Sequence, residues 1–181
     1  MFLDLGRVRT PQDHIERTYP PDAFGSSSTG APDDFRVTGP VVLAFDITKS
    51  GGVFTLDGRV RAPLELACVR CLEPVAHDVD AAFDLRYQPQ SSNTGAGERE
   101  IHEDDLATAF YADDTIDLGQ LMREQFYLAL PMKPLCTEDC RGLCSVCGTN
   151  LNRGTCTCVR EWEDPRLAAL KTLARDPQTR H

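Results

Sequence analysis

No apolar run in this sequence approaches the ~20 residues a membrane-spanning helix needs, and Met-Phe-Leu-Asp-Leu-Gly-Arg puts an acid and a glycine where a secretory h-region would run. There is no glycine-rich phosphate loop, no serine nucleophile elbow and no H-E-x-x-H. The four histidines, His14, His77, His102 and His181, are scattered. Positive charge is also short: 19 Lys/Arg stand against 28 Asp/Glu, for a net charge of −9. These absences set the expectation of a non-enzymatic cytoplasmic protein with no membrane segment and no small-molecule substrate.

The acidity is uneven. Residues 1–132 carry −11 and residues 133–181 carry +2. Affinity for phosphate backbone comes mainly from Lys/Arg displacing counterions. The N-terminal body therefore suits a basic protein partner, and only the C-terminal part has an RNA-compatible balance. At 41% hydrophobic and 26% charged over 181 residues, the chain has material for one core.

What the chain has in excess is cysteine. Six of its eight cysteines fall between Cys136 and Cys158, and Cys68 and Cys71 form a C-x-x-C far upstream. A reducing compartment favours metal over disulfide, and a catalytic zinc would call for an open position among His and carboxylate ligands. The cysteines divide into four pairs: Cys68/Cys71, Cys136/Cys140, Cys144/Cys147 and Cys156/Cys158. A four-thiolate tetrahedron takes two pairs. Cys144-Ser-Val-Cys147-Gly148 suits a zinc knuckle, since glycine permits the tight turn. The eight residues to Cys156 make a small ribbon with Cys156/Cys158. Cys68/Cys71 would then join Cys136/Cys140 in a second site that clips the middle of the chain to its end. The expectation is two structural Zn²⁺ ions. A single site within 136–158, or a redox C-x-x-C, are the alternatives. The latter prefers a βαβ setting.

The remaining pattern is α+β. Thr10-Pro11 reads as a helix start running to about Arg17, and Pro20–Asp34 as a mobile loop. From 39 to 87, three runs of period two (Val41–Ile47, Val60–Cys68, Val75–Tyr87) predict an antiparallel meander with one solvated face. Pro63 suggests an edge or bulge, and His77 a core histidine. Residues 88–114 read as a low-order insert containing Glu98, Glu100, Glu103, Asp104 and Asp105, a solvated loop or a contact for a basic partner. Asp117 and Gln120 predict a capping box opening a helix whose Leu118, Leu121, Met122, Phe126, Ala129 and Leu130 share one face and cover the sheet. A last helix begins at Asp164-Pro165. The expected units are 1–35, partly flexible, the body 36–135, and the cysteine-rich module with its terminal helix, 136–181.

The order of motifs resembles one family. C-x-R-C-L-x-P-V occurs at Cys68–Val75. I-D-L-x-x-L…E…L-x-L-P occurs at Ile116–Pro131. C-x-x-x-C-R-G-L-C-x-x-C-G-x-N-L-N occurs at Cys136–Asn152, followed by C-x-C and a D-P-R-L helix start. Over roughly residues 35–175 this is similar to the YceD family, the large-subunit ribosomal RNA accumulation proteins. The resemblance implies plant organelle relatives and a role without catalysis, supporting 23S rRNA accumulation or processing and large-subunit assembly. It also implies partnership with rRNA or a large-subunit ribosomal protein. If the cysteine module meets RNA, Arg141, Asn150, Asn152, Arg153 and Arg160 are the candidate contacts. A protein-only chaperone for a basic ribosomal protein is the alternative, and a thiol redox protein the third.

Overall fold

The computed structural model describes residues 1–8, 10–25, 34–90 and 108–159. Its centre is a sheet of β2 (Gln12–Tyr19), β4 (Val41–Ser50), β5 (Val53–Ala67), β6 (Pro74–Pro89) and β7 (Thr108–Tyr111), in that spatial order, with β3 (Phe35–Val37) also paired to β5. β1 (Phe2–Asp4) pairs with β8 (Thr115–Asp117) in a separate two-stranded ribbon. A helix, α1 (Leu118–Ala129), follows β8 directly. Among the described residues no helix is long and apolar enough to cross a membrane.

The period-two runs become β4, β5 and β6, an antiparallel meander running from Ser50↔Val53 at one turn to Ala67↔Pro74 at the other. Val41, Leu43, Phe45, Ile47, Leu56, Val60, Leu64 and Val79 face the core, while Asp46, Asp57, Arg59, Arg61, Asp80 and Asp84 face solvent. Pro63 lies where β5 changes neighbours. β4 pairs as far as Arg61, and β3 takes over at Leu64. The position facing that gap needs no N–H, and the Pro63 carbonyl accepts from Thr38 N–H at 3.0 Å.

α1 closes the core. Leu118, Leu121, Met122 and Phe126 are buried by it, each contributing on the order of 2 kcal/mol of apolar transfer. The Asp117 carboxylate accepts from Gly119 and Gln120 N–H at 2.8 and 3.3 Å, an N-cap. The reciprocal half of the expected capping box is not made, because the Gln120 amide donates along the helix to Glu124 at 2.9 Å instead. His77 is half-buried beneath the helix end, with Nε2 3.4 Å from the Ala129 carbonyl.

Three expectations are corrected. The helix expected from Thr10 to Arg17 is a strand: β2 runs antiparallel to β4 from Gln12↔Thr48 to Tyr19↔Val41. An eight-residue helix is marginal in water, whereas this stretch alternates Ile15, Arg17 and Tyr19 inward and gains a full ladder. The loop expected over 20–34 contains a 3-10 turn at Pro21–Phe24 that buries Phe24, while residues 26–33 lie outside the described part. The insert expected over 88–114 ends in an ordered strand, β7, which runs parallel to β6 from Arg86↔Thr108 to Pro89↔Tyr111. The acidic cluster at 98–105 and the terminal helix from Asp164 lie outside the described residues. The segment 1–35 contributes Leu3, Leu5, Val8, Phe24 and Phe35 to the core.

Candidate metal centre

Cysteine pairs close two tetrads. In the first, the chain leaves β5 at Ala67 and turns through Cys68–Cys71 into β6. Cys68 N–H donates to the Glu73 carbonyl, and Leu72 N–H donates to the Cys68 carbonyl, both at 2.9 Å. Past α1, the Pro134 carbonyl accepts from Val69 N–H at 3.0 Å, which delivers Cys136 to the turn. Cys140 N–H donates to the Thr137 carbonyl at 3.1 Å and folds the x3 spacer back. Sγ of Cys68 lies 3.8 Å from that of Cys140, and Sγ of Cys71 lies 3.5 Å from that of Cys136. Cys68, Cys71 and Cys140 are buried, with Val75, Leu135 and Leu143 packed around them. This is the clasp.

The second tetrad, the ribbon, repeats the turn. Cys144 N–H donates to the Thr149 carbonyl at 2.8 Å, and Gly148 N–H donates to the Cys144 carbonyl at 2.9 Å. Val146 N–H points at Cys144 Sγ from 3.4 Å, and Cys147 Sγ lies 3.1 Å from the Thr149 hydroxyl. Cys156 and Cys158 complete the set, and within each tetrad all four sulfurs lie within 4.8 Å of one another.

The donor set fits a tetrahedral metal ion. Ligand–metal distances of about 2.3 Å imply sulfurs roughly 3.8 Å apart, close to the spacings in the clasp. The electrostatics agree. Burial pushes the Cys68 thiol up, but N–H groups of Arg70, Cys71 and Cys136 outweigh it and bring Cys68 down to about 6. N–H groups of Cys147 and Val146 bring Cys144 to about 6. The N–H of Glu73 pulls Cys71 down, yet burial and the thiols of Cys136, Cys68 and Cys140 prevail and push it up to about 12. The Cys147 thiol, then burial, pushes Cys158 to about 12. Four thiols this close cannot all ionise unaided. A divalent cation supplies the missing positive charge, so each tetrad could hold one metal ion.

The two tetrads are stitched together. Gly142, at φ 74°, brings its backbone so near the clasp turn that a Cβ there would sit 3.0 Å from the Arg70 carbonyl oxygen. That carbonyl accepts from Leu143 N–H at 3.0 Å. Arg70 reaches the Cys140 carbonyl at 2.8 Å. Glu73 takes both Asn150 Nδ2, at 3.1 Å, and the Arg153 guanidinium, at 2.8 Å. Asn152 accepts from Arg141 N–H through Oδ1 at 2.7 Å and points Nδ2 at Cys140 Sγ from 3.2 Å. That contact holds the Cys140 thiol below its ordinary range.

All eight predicted cysteines thus fall into the two groups that pair spacing suggests. Of the predicted RNA contacts, Asn150, half-buried, and Asn152 and Arg153, both exposed, bond to Glu73 or Cys140, Arg141 is also exposed, and Arg160 lies outside the described residues. Glu73 was not anticipated. Its only trace in the sequence is that Cys-Leu-Glu after the first pair parallels Cys-Gly-Thr after the third.

The chain matches the family described as large ribosomal RNA subunit accumulation protein YceD over residues 56–174. It belongs to the YceD family. The match runs from within β5 through β6, β7, β8, α1 and both tetrads, and leaves β1 to β4 outside it. A maize relative, named as a chloroplastic YCED homolog 1 of the large ribosomal RNA subunit accumulation proteins, is 31% identical over 180 residues, covering 86% of this chain and 60% of the relative. The Arabidopsis thaliana protein of the same name is 26% identical over 197 residues, covering 97% of this chain and 60% of the relative. An uncharacterized Mycobacterium leprae protein is 35% identical over 112 residues, covering 62% and 49%. The chain therefore spans about three fifths of its plant relatives' length. No solved structure matches it.

Proposed function

We propose that this protein is a non-enzymatic ribosome-biogenesis factor of the cytoplasm, supporting 23S rRNA accumulation and large-subunit assembly, with a structural Zn²⁺ ion in each tetrad. The observation that carries the role is membership of the YceD family, the large ribosomal RNA subunit accumulation proteins. The zinc reading rests on the donor set. Four cysteines per site and no water-open position suit an ion that cross-links. Cys68, Cys71, Cys136 and Cys140 would hold one ion, and Cys144, Cys147, Cys156 and Cys158 the other. A bound ion would supply a covalent-like staple between the β5–β6 turn and the segment after α1.

Arg141 and Arg160 are the first candidates for an RNA contact, since Asn150, Asn152 and Arg153 already bond to Glu73 and Cys140. The same bonds favour a second reading, capture of a basic large-subunit ribosomal protein by the acidic body. A thiol redox role is the weakest reading, because the clasp sets Cys68 beside Cys140 rather than offering a free C-x-x-C pair.

Deleting the gene and measuring 23S rRNA against 16S rRNA tests the role. Loss of 23S rRNA, restored by the wild-type chain but not by a Cys68→Ser/Cys71→Ser chain, supports it, and an unchanged ratio refutes it. Crosslinking in cells then separates the partners: recovery of 23S precursor favours RNA, and recovery of one basic ribosomal protein without RNA favours the second reading.

A further inference from the structure

We propose that Asn152 couples the two tetrads, so that an ion in the ribbon raises the clasp's affinity for its own ion. The inference rests on the metal reading above and adds a residue and a linkage to it. Asn152 is not a ligand. It lies in the segment between Gly148 and Thr155, whose two ends are drawn together when Cys156 and Cys158 join Cys144 and Cys147. Within that segment its position is determined by its neighbours. Its own N–H donates to Asn150 Oδ1 at 3.0 Å, and Arg153 and Gly154 N–H both donate to the Asn150 carbonyl at 3.1 Å. Asn150 in turn is anchored on Glu73, two residues past the clasp's Cys71. The outcome is a single amide that belongs to the ribbon's loop and serves the clasp: Oδ1 accepts from Arg141 N–H, next to Cys140, and Nδ2 donates to Cys140 Sγ.

A donor aimed at a metal-binding sulfur orients the ligand and stabilises its thiolate, and losing such an outer contact typically weakens metal binding about 10–100-fold. Releasing the ribbon's ion removes one of the constraints that close the Asn152 loop, leaving the bonds of Asn150 and Arg153 to Glu73 and of Leu151 N–H to the Gly142 carbonyl. Presenting the amide to Cys140 then requires ordering more of that loop. Metal in the ribbon has already met that part of the cost. By linkage the effect is reciprocal: the clasp's ion raises the ribbon's affinity by the same factor.

The test uses the full chain, stripped of metal under reducing conditions and titrated with Zn²⁺ against a competing chelator. Asn152→Asp is the informative variant. It is isosteric and keeps the acceptor for Arg141 N–H, but turns an oxygen toward Cys140 in place of the donor. The expected result is a clasp affinity reduced about 10-fold or more in Asn152→Asp and also in Cys156→Ser/Cys158→Ser, with the two changes combined adding little to either alone. Cadmium NMR, one resonance per tetrad, should show the clasp signal shifted in Asn152→Asp; a clasp signal that stays where it is in the wild type would overturn the contact between Asn152 and the clasp. Clasp affinity within twofold of wild type in both the aspartate and the serine variants would overturn the coupling while leaving the metal reading intact. A wild-type chain that takes up no ion would overturn both.

Discussion

Cys68–Glu73 and Cys144–Thr149 follow the same backbone path. In each, the first cysteine's N–H donates to the carbonyl five residues on, its carbonyl accepts from the N–H four residues on, and the residue after the second cysteine is left-handed, at φ 61° for Leu72 and 73° for Gly148. They differ in what holds them. The first turn is clamped between β5 and β6, paired without a break from Phe54↔Tyr87 to Ala67↔Pro74. The second has one isolated bridge, Leu143↔Asn150, the bonds of Asn150 and Arg153 to Glu73, and its own cysteines. Strain persists only where the surroundings over-determine it. A leucine in left-handed conformation, 67% exposed, is tolerated where a sheet imposes the turn, and glycine occupies the same position where no sheet does.

Ligand removal should separate the two turns most. Cys68→Ser should release one ion and lower the unfolding free energy by up to about 4 kcal/mol, the loop-closure value for the 65-residue separation of Cys71 and Cys136. Cys156→Ser should release the other ion at a cost to the body of only about 1.4–2.8 kcal/mol, the share carried by coupling. Urea unfolding read alongside metal content checks both. Equal losses would mean that the ribbon, too, holds the body together.

Gly142 and Gly148 separate close approach from backbone angle. Both have positive φ, but an added Cβ meets the Arg70 carbonyl only at Gly142 and meets nothing within 4 Å at Gly148. Thermal unfolding should therefore show Gly142→Ala destabilising by about 2 kcal/mol and Gly148→Ala by about 1 kcal/mol. The reverse ranking would refute the packing of Gly142 on the clasp turn.

In the metal-free chain the two first cysteines should behave alike. Cys68 and Cys144 titrate near 6, below the ordinary thiol value of 9.0. Their folded-state thiolates thus contribute stability that is complete above pH 9 and is lost as the pH falls toward 6. Cys71 and Cys158, raised to about 12, have the opposite sign and oppose folding as the pH rises past 9. Ultraviolet thiolate absorbance should rise in an early step near pH 6 and a late one near 12. A single step near 9 would show that the tetrads are not assembled without metal.

The smallest effect is also the one of opposite sign. Leu72→Gly relieves the left-handed strain and loses little packing, so it should stabilise by no more than about 1 kcal/mol. A clear loss of stability in a denaturant titration would show instead that the leucine side chain packs in the fold.

Much of this was legible beforehand because it is local. The meander follows from period two in residues 41–87, and α1 from Asp117 and its apolar face. The helix start at Thr10-Pro11 misled because a cap signal says nothing of the partner strand that makes Gln12–Tyr19 extended. β7 was missed for a related reason: a four-residue parallel edge strand has no pattern of its own and exists only because β6 offers it a ladder. The partners of Asn150, Asn152 and Arg153 were hidden too, since a polar residue on a ribbon gives no sign of an internal bond until Glu73 and Cys140 are brought beside it.

The pieces of the two sites are local features of the chain. Each C-x-x-C supplies two thiols from one turn, because that spacing bends the backbone around a single sulfur pair whatever lies elsewhere. How the pieces meet depends on the folded chain: Cys68 faces Cys140 across 72 positions, and an amide from the ribbon's loop reaches a sulfur of the clasp. Those contacts depend on where the sheet and α1 carry the chain, and burial of the core, rather than any spacing among the cysteines, sets that path.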